Sequence, residues 1–448
     1  MSNKELMNNV SETKKASLRL AQLPREVKDK ALRSAAGAIL EHQKEILDAN
    51  KRDVAAGKVL LEEGKLSKPL LDRLKLDETK VLEISKMVQS VADLEDPVGK
   101  TLYAVKMDEG LDLFKVTVPF GVVVSIFESR PDALPQIASL CIKSGNSVLL
   151  KGGSEAQESN RAVYRLMNEA FAAAGLPSGC MQLVEGRSAV GELLKMEGLV
   201  DLIIPRGSNE FVRYIQENTK IPVLGHSSGI CHVYVDRAAD PKKAVEICHD
   251  ARVQYPAACN SMKILLIDEE VAPELLPKIA RRLVGSGVRI KGCEKTLKIL
   301  RSNNIPTEKA REKDWSTEYL ELVLPVRVVS GVDEAIEHIN RYGSRHTDSI
   351  ISEDTASVKK FLSMVDSSTV IHNASTRFSD GYRYGLGAEV GISTNKVHAR
   401  GPVGLEGLVT TKYILMGSGQ KVSDYVGKGA KAFLHKKATG NWKRRLNA

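Results

Sequence analysis

Aromatic residues are scarce in this chain, making up 5% of 448 positions, with two tryptophans. Few rings are therefore available to stack on bases, and no nucleic-acid-binding motif is recognisable, so nucleic acid is not an expected partner despite the net charge of +9. No stretch approaches the roughly 20 apolar residues of a membrane span, so no membrane partner is expected. Met1 to Lys15 is polar and lacks the apolar centre of a secretory signal. The six cysteines, Cys141, Cys180, Cys231, Cys248, Cys259 and Cys293, form no CxxC and no regular framework. Neither a metal site nor a disulfide scaffold is suggested, and free thiols point to a reducing compartment, most simply the cytoplasm. A GxGxxG fingerprint, an internal repeat and a low-complexity segment are also lacking. Gly385-Leu-Gly387-Ala-Glu-Val-Gly391 misses the fingerprint by one residue, follows no clear strand, and reads as a structural loop.

What is present is ordinary for a globular protein: 42% hydrophobic and 27% charged residues. The length exceeds what one core usually holds, so two or three domains are expected. The basic excess suits anions, and small phosphorylated ligands fit. Part of it lies in Lys436, Lys437, Lys443, Arg444 and Arg445, which read as a solvated or disordered terminus.

Residues 11 to 57 carry apolar positions near helical spacing, and 77 to 92 suggest a further helix. Residues 101 to 118, with Asp108-Glu-Gly110 at the turn, read as a β-hairpin. From Pro119 the pattern changes. Val122 to Phe127, Ser147 to Leu150, Met181 to Val184 and Leu202 to Ile204 are apolar runs of buried-strand type, separated by helical segments. Ser154-Glu-Ala-Gln157 reads as a capping box opening one of these helices. A second α/β series begins at Cys231 and continues through strands near 264–267, 323–329 and 349–351. This alternation predicts parallel sheets of the doubly wound type, which bind ligands beyond the carboxyl ends of their strands.

Three junctions carry chemistry. Lys151-Gly-Gly-Ser154 and Arg206-Gly-Ser208 each join a strand to a helix, where amides and a cation suit a phosphate; each reads equally as a tight turn. Val253-Gln-Tyr-Pro-Ala-Ala-Cys259-Asn-Ser-Met-Lys263 links a helix to a buried strand. On position alone Cys259 is either a small buried hydrophobe or a nucleophile set in a loop held by a scaffold.

The order of Pro119-Phe-Gly121, Ser144-Gly-Asn-Ser-Val-Leu-Leu-Lys151, Ala174-Gly-Leu-Pro177, Pro205-Arg-Gly-Ser208, the cysteine loop and Thr317-Glu318 resembles the aldehyde dehydrogenase superfamily. More narrowly, Phe127-Glu-Ser-Arg-Pro-Asp132, His226-Ser-Ser-Gly-Ile-Cys-His232, Tyr255-Pro-Ala-Ala-Cys-Asn260, Asn373-Ala-Ser-Thr-Arg-Phe378 and His398-Ala-Arg-Gly-Pro402 resemble the glutamate-5-semialdehyde dehydrogenases, or γ-glutamyl phosphate reductases. The resemblance runs from about residue 11 to residue 420.

It implies an NADP-binding domain over 1–100 and 119–230, a catalytic domain over 231–400, an oligomerisation flap over 101–118 and 401–420, and a basic tail over 421–448. It also implies NADPH-dependent reduction of L-glutamyl 5-phosphate to L-glutamate 5-semialdehyde in proline biosynthesis, through a thioester on Cys259. Homo-oligomers of at least two chains and contact with glutamate 5-kinase come with it. By resemblance, Asn260 assists Cys259; Lys151 and Ser154 hold the adenosine ribose and its 2′-phosphate; Gly207 and Ser208 lie against the cofactor phosphates; and Glu318 binds the nicotinamide ribose. Arg130, His226, Asn373, Ser375 and Arg377 are the expected substrate contacts.

Two departures from the family pattern stand out: Lys263 where a glutamate is usual, and Ser227-Ser228 after the histidine. His226 falls where hydrolytic aldehyde dehydrogenases keep the glutamate that activates water, and Ser129 falls where they keep an oxyanion-binding asparagine. His226 is also readable as a structural histidine. The expected consequence is an aldehyde oxidation that needs phosphate. The competing readings are an aldehyde dehydrogenase acting on another aldehyde, and a basic binding protein that has kept the fold without catalysis.

Overall fold

The computed structural model describes residues 3–445, apart from 129, 187 and 227 and the side chains of 69, 444 and 445. The expectations placed on Ser129, Ser227, Arg444 and Arg445 lie outside these described residues or side chains.

Four parallel strands form the first sheet, in the order Met181–Leu183, Ser147–Gly152, Val122–Phe127, Leu202–Arg206. The central strand is apolar on both faces because helices cover both. On one side Val123, Phe127, Val148 and Leu150 pack against helices Arg25–Glu41, Glu78–Asp93, Ala133–Lys143 and Gln157–Ala173. On the other, Val122, Val124 and Ile126 meet Leu6 and Val10 of the first helix, Asn3–Leu20, and Ile215 of the helix Asn209–Glu217. Each such fully buried aliphatic side chain contributes on the order of 1.5–3 kcal/mol.

Seven parallel strands form the second sheet: Glu308–Lys309, Arg289–Gly292, Val323–Val329, Met262–Asp268, Cys231–Val235, Thr347–Ile351, Thr369–His372. It too is covered on both faces. The fold is therefore α/β, with two parallel sheets covered by helices, as the resemblance implies. A third, antiparallel sheet pairs Thr101–Asp108 with Leu111–Pro119, and the latter with Val409–Met416. Among the described residues, no helix is long and apolar enough to cross a membrane.

Several local expectations are corrected. The long N-terminal helix is three: Asn3–Leu20, Arg25–Glu41 and Gln43–Glu62. Pro24 disfavours a helical Leu23 and forces the first break. The capping box at Ser154 does not form; Ser154–Ala156 is a 3-10 turn, and the helix proper starts at Gln157 without a cap of its own. Asp53, from the third helix, caps it instead, accepting from the Glu158 amide at 3.1 Å and the Ser159 amide at 2.7 Å. Beyond residue 420 the chain folds back onto the flap. Lys436–Lys437 pairs with Thr101–Asp108, Tyr425 stacks on Phe433 at 4.3 Å, and Trp442 packs beside Ala104 and Phe114.

Candidate active site

Arg206, at the carboxyl end of the strand Leu202–Arg206, lies close enough to feel the charge of Cys259, which precedes a strand of the second sheet. Strands Met262–Asp268, Cys231–Val235 and Thr347–Ile351 are immediate neighbours and run parallel. The loops entering them carry Cys259, His226 and His346. Parallel pairing thus delivers three side chains, remote in sequence, to one spot. Cys259 sits at strand amino ends, whereas the carboxyl-end rule describes only the first sheet's contribution.

The thiol of Cys259 and one ring nitrogen of each histidine lie within 4.8 Å of one another. The two rings meet edge to face, with centroids 5.1 Å apart. His226 donates Nδ1–H to the Ile392 carbonyl at 3.0 Å, so its Nε2 is left for the thiol. His346 is fully buried, its Nδ1 2.8 Å from Thr347 Oγ1 and its Nε2, apart from the Cys259 thiol, without a partner among the described residues. Burial alone would push the Cys259 thiol up. The charges and hydrogen bonds of His346 and His226 outweigh it and hold the thiol well below its usual range. The same coupling, against burial, raises His226 to about 9.

Close packing fixes the pair of loops. A Cβ on Gly229 would overlap the Cys259 carbonyl and come within 2.6 Å of its Cα, so only glycine lets the histidine loop cross the cysteine loop. Lys263 is buried beneath, its Nζ donating to the Ala258 carbonyl at 2.7 Å and the Ser261 carbonyl at 3.3 Å. Burial depresses it to about 8. The unusual lysine is thus a brace under the loop. Asn260 Nδ2 donates to the Ser379 carbonyl at 2.8 Å, tying the loop to the 373–379 segment.

Cations ring this thiol. Arg206, lowered to about 10 by burial and the neighbouring Arg130, and Arg377, lowered by burial and Arg383, both feel the Cys259 charge. Arg377 Nε donates to Gln254 at 2.8 Å, and its guanidinium lies 5.8 Å from the Tyr255 ring centre. Arg130 pairs with Asp132 at 2.8 Å. Glu389 completes the group: burial raises it to about 7, Arg206 opposes this, and its carboxylate accepts the Gly381 amide at 2.8 Å.

At the first sheet, Ser208 caps the helix Asn209–Glu217 by accepting from the Phe211 amide at 3.3 Å, and Gly207 lies against Glu128. Glu318 reaches across to Asn209 Nδ2 at 3.1 Å. Lys151 Nζ donates to the Gly152 carbonyl at 2.7 Å, one turn from Ser154. A capped helix end, a glycine that admits close backbone approach, a lysine and a glutamate fit a ligand with phosphates and ribose hydroxyls. The amides at the start of the helix Gln157–Ala173 are taken by Asp53, so that junction offers Lys151 and Ser154 without helix amides.

The aldehyde dehydrogenase family model matches residues 1–289. A γ-glutamyl phosphate reductase from Natronomonas pharaonis is 53% identical over 427 residues, 95% of this chain and 96% of that one. One from Methanosarcina mazei is 49% identical over 435 residues, 97% of each. The chain belongs to the γ-glutamyl phosphate reductases of the aldehyde dehydrogenase family. The crystal structure of the Thermotoga maritima γ-glutamyl phosphate reductase, 39% identical, superposes with a TM-score of 0.88 over 93% of this chain and 99% of its own. Membership in the family makes the chain an oxidoreductase using a nicotinamide cofactor.

Within this reductase, His226 and Cys259 share one site, with Arg130 and Arg377 beside it. Asn373 is turned elsewhere: its Nδ2 donates to the Ser352 carbonyl at 3.1 Å and to Glu353 at 3.0 Å, while its Oδ1 accepts from the Ser352 amide. Ser375 accepts from the Arg377 amide at 3.3 Å and is buried as a turn cap. Both side chains thus help shape the loop that presents Arg377. His346 and Glu389 carry no expected role by sequence, whereas Arg206 belongs to the Arg206-Gly-Ser208 junction that reads as a phosphate site or a tight turn. Arg206 was legible as a basic residue at a strand–helix junction. His346 and Glu389 stood in segments that read as plain loops.

Proposed function

We propose that the chain reduces L-glutamyl 5-phosphate to L-glutamate 5-semialdehyde with NADPH, as a step of proline biosynthesis. The observation that carries this reading is the Cys259 thiol set between two imidazoles within 4.8 Å. A thiolate is a strong nucleophile and phosphate a good leaving group. Cys259 attacks the C5 carbonyl, the S–C bond forms, the C–O bond to phosphate breaks, and a thioester remains. The amides of Cys259 and Asn260 face the oxyanion, and His226, protonated, adds its charge. Arg206, Arg130 and Arg377 suit the leaving phosphate and the α-carboxylate.

Lys151, Ser154, Gly207, Ser208 and Glu318 hold the cofactor, with Lys151 and Ser154 at the 2′-phosphate that distinguishes NADP. Bound there, the dihydronicotinamide supplies the hydride that brings the acyl group to the aldehyde level. His226 keeps the released thiolate paired and ready for the next substrate.

The exposed Tyr413 and Leu415 on the flap's edge strand Val409–Met416 support a homo-oligomer. Light scattering that reads a monomer at micromolar concentration would refute it. The cytoplasm suits six free cysteines, and cell fractionation tests this.

Glu389, with a carboxyl near neutrality, supports a second reading, hydrolytic oxidation. Its bond to the Gly381 amide and the facing Arg206 argue against a free base. One assay separates the two. Glutamate semialdehyde and NADP are supplied with and without inorganic phosphate. The reductase reading expects NADP reduction only with phosphate, giving acyl phosphate; a similar rate without phosphate, giving glutamate, overturns it.

A further inference from the structure

We propose that His226, Cys259 and His346 also form a binding site for a soft divalent cation, Zn2+ being the ion they fit, and that its occupancy silences the enzyme. The donor set is one thiolate and two imidazoles, which is zinc chemistry. The three ligand atoms lie within 4.8 Å of one another. Zinc takes sulfur at about 2.3 Å and imidazole nitrogen at about 2.0–2.1 Å, which places ligand atoms of a tetrahedral site roughly 3.5 Å apart. Side-chain rotations of about 1 Å close that difference.

The surroundings are those of metal-ligating histidines. A ligating imidazole ordinarily fixes its second nitrogen on an oxygen, which sets the tautomer and orients the ring. His226 Nδ1 does so on the Ile392 carbonyl at 3.0 Å, and His346 Nδ1 on Thr347 Oγ1 at 2.8 Å. The His346 Nε2 is buried and, apart from the Cys259 thiol, has no partner among the described residues, which leaves it placed to share a metal ion with that thiol. All three ligands are held by loops entering adjacent parallel strands, so little ordering remains to be done on binding. The set is also incomplete in the way of open zinc sites: three protein ligands leave a fourth position for water. Arg206 and Arg377 oppose a dication here, and Glu389 and Glu318 offset them. Without an oxygen ligand in the trio, Mg2+ and Ca2+ do not compete.

Bound metal takes the sulfur lone pair that would attack the acyl carbon, so turnover stops. This inhibitory half rests on the reading of Cys259 as the nucleophile; the binding half does not. The test uses the full-length protein, stripped with a chelator. Zinc binding is read by competition with a chromophoric chelator, and Co2+ is added separately as a spectroscopic probe. One Zn2+ per chain is expected, together with a thiolate-to-Co2+ charge-transfer band. His346→Ala and the closer-sized His346→Gln, each checked for folding by circular dichroism, should weaken zinc at least tenfold, as should Cys259→Ala. No stoichiometric zinc, no charge-transfer band, or wild-type affinity in the folded His346 variants overturns the site. Stoichiometric zinc that leaves reductase turnover unchanged overturns the silencing. If Cys259→Ala still turns over, the nucleophile reading fails while the binding data continue to decide the metal site.

Discussion

Replacing His226 with asparagine should return the Cys259 thiol towards ordinary acidity, by an amount the site itself sets. The neighbouring thiol, helped by the Ile392 carbonyl and Glu318, lifts His226 from 6.5 to about 9 although burial pulls the other way. That rise corresponds to roughly 3 kcal/mol at about 1.4 kcal/mol per pH unit. Coupling between two titrating groups is reciprocal, so imidazolium lowers the thiol by what thiolate adds to the imidazole. His226→Asn should therefore move the thiol's titration up, with His346 still retaining part of the depression.

The sign follows directly. Thiolate is present above the thiol's pKa, so at a pH below the new value reactivity falls about tenfold per unit. The assay is carbamidomethylation of Cys259 followed by peptide mapping from pH 5 to 9, in chelator-containing buffer. Burial pushes Cys141, Cys180, Cys231 and Cys248 up and keeps them silent, while mapping separates Cys293. Inflections, not plateaus, are compared, since a more basic thiolate is intrinsically somewhat more reactive. An inflection unchanged by His226→Asn, or a wild-type inflection near about 8.5, would refute the ion pair.

Gly229→Ala should cost more stability than a surface change, on the order of 2 kcal/mol or more, and most of the activity, because its methyl would overlap the Cys259 backbone. Thermal unfolding and turnover measured together check this, and a stable, active variant would show that the loops yield. Lys151→Ala should lose tenfold or more in kcat/KM with NADPH while the NADH reaction changes little, since one charged hydrogen bond to a 2′-phosphate contributes about 1.5–3 kcal/mol. Equal losses with both cofactors would place Lys151 away from that phosphate.

Much of this molecule is written locally. The apolar runs at Val122–Phe127 and Cys231–Val235 are strands because both faces are buried, and a run long enough to be buried is visible in sequence. The hairpin at 101–118 announces itself by Asp108-Glu-Gly110, with Gly110 at φ 72°. Cys259 stands out by lying between a helix and a strand in a loop restricted by Pro256. What no local pattern contains is adjacency between strands. His346 follows Arg345, which takes a left-handed φ of 60° at a plain-looking bend, and it reaches Cys259 only because its strand lies next to Cys231–Val235. Glu389 acquires a carboxyl near neutrality only once folding buries it near the Cys259 charge, against the opposing pull of Arg206. Asp53 caps a helix more than a hundred residues away, and the basic tail finds an open strand edge to pair with. Sequence determines which segments are buried and where each loop must turn, because those depend on neighbours along the chain. The company a side chain keeps, and with it the charge state of the thiol, is decided only when the sheets close.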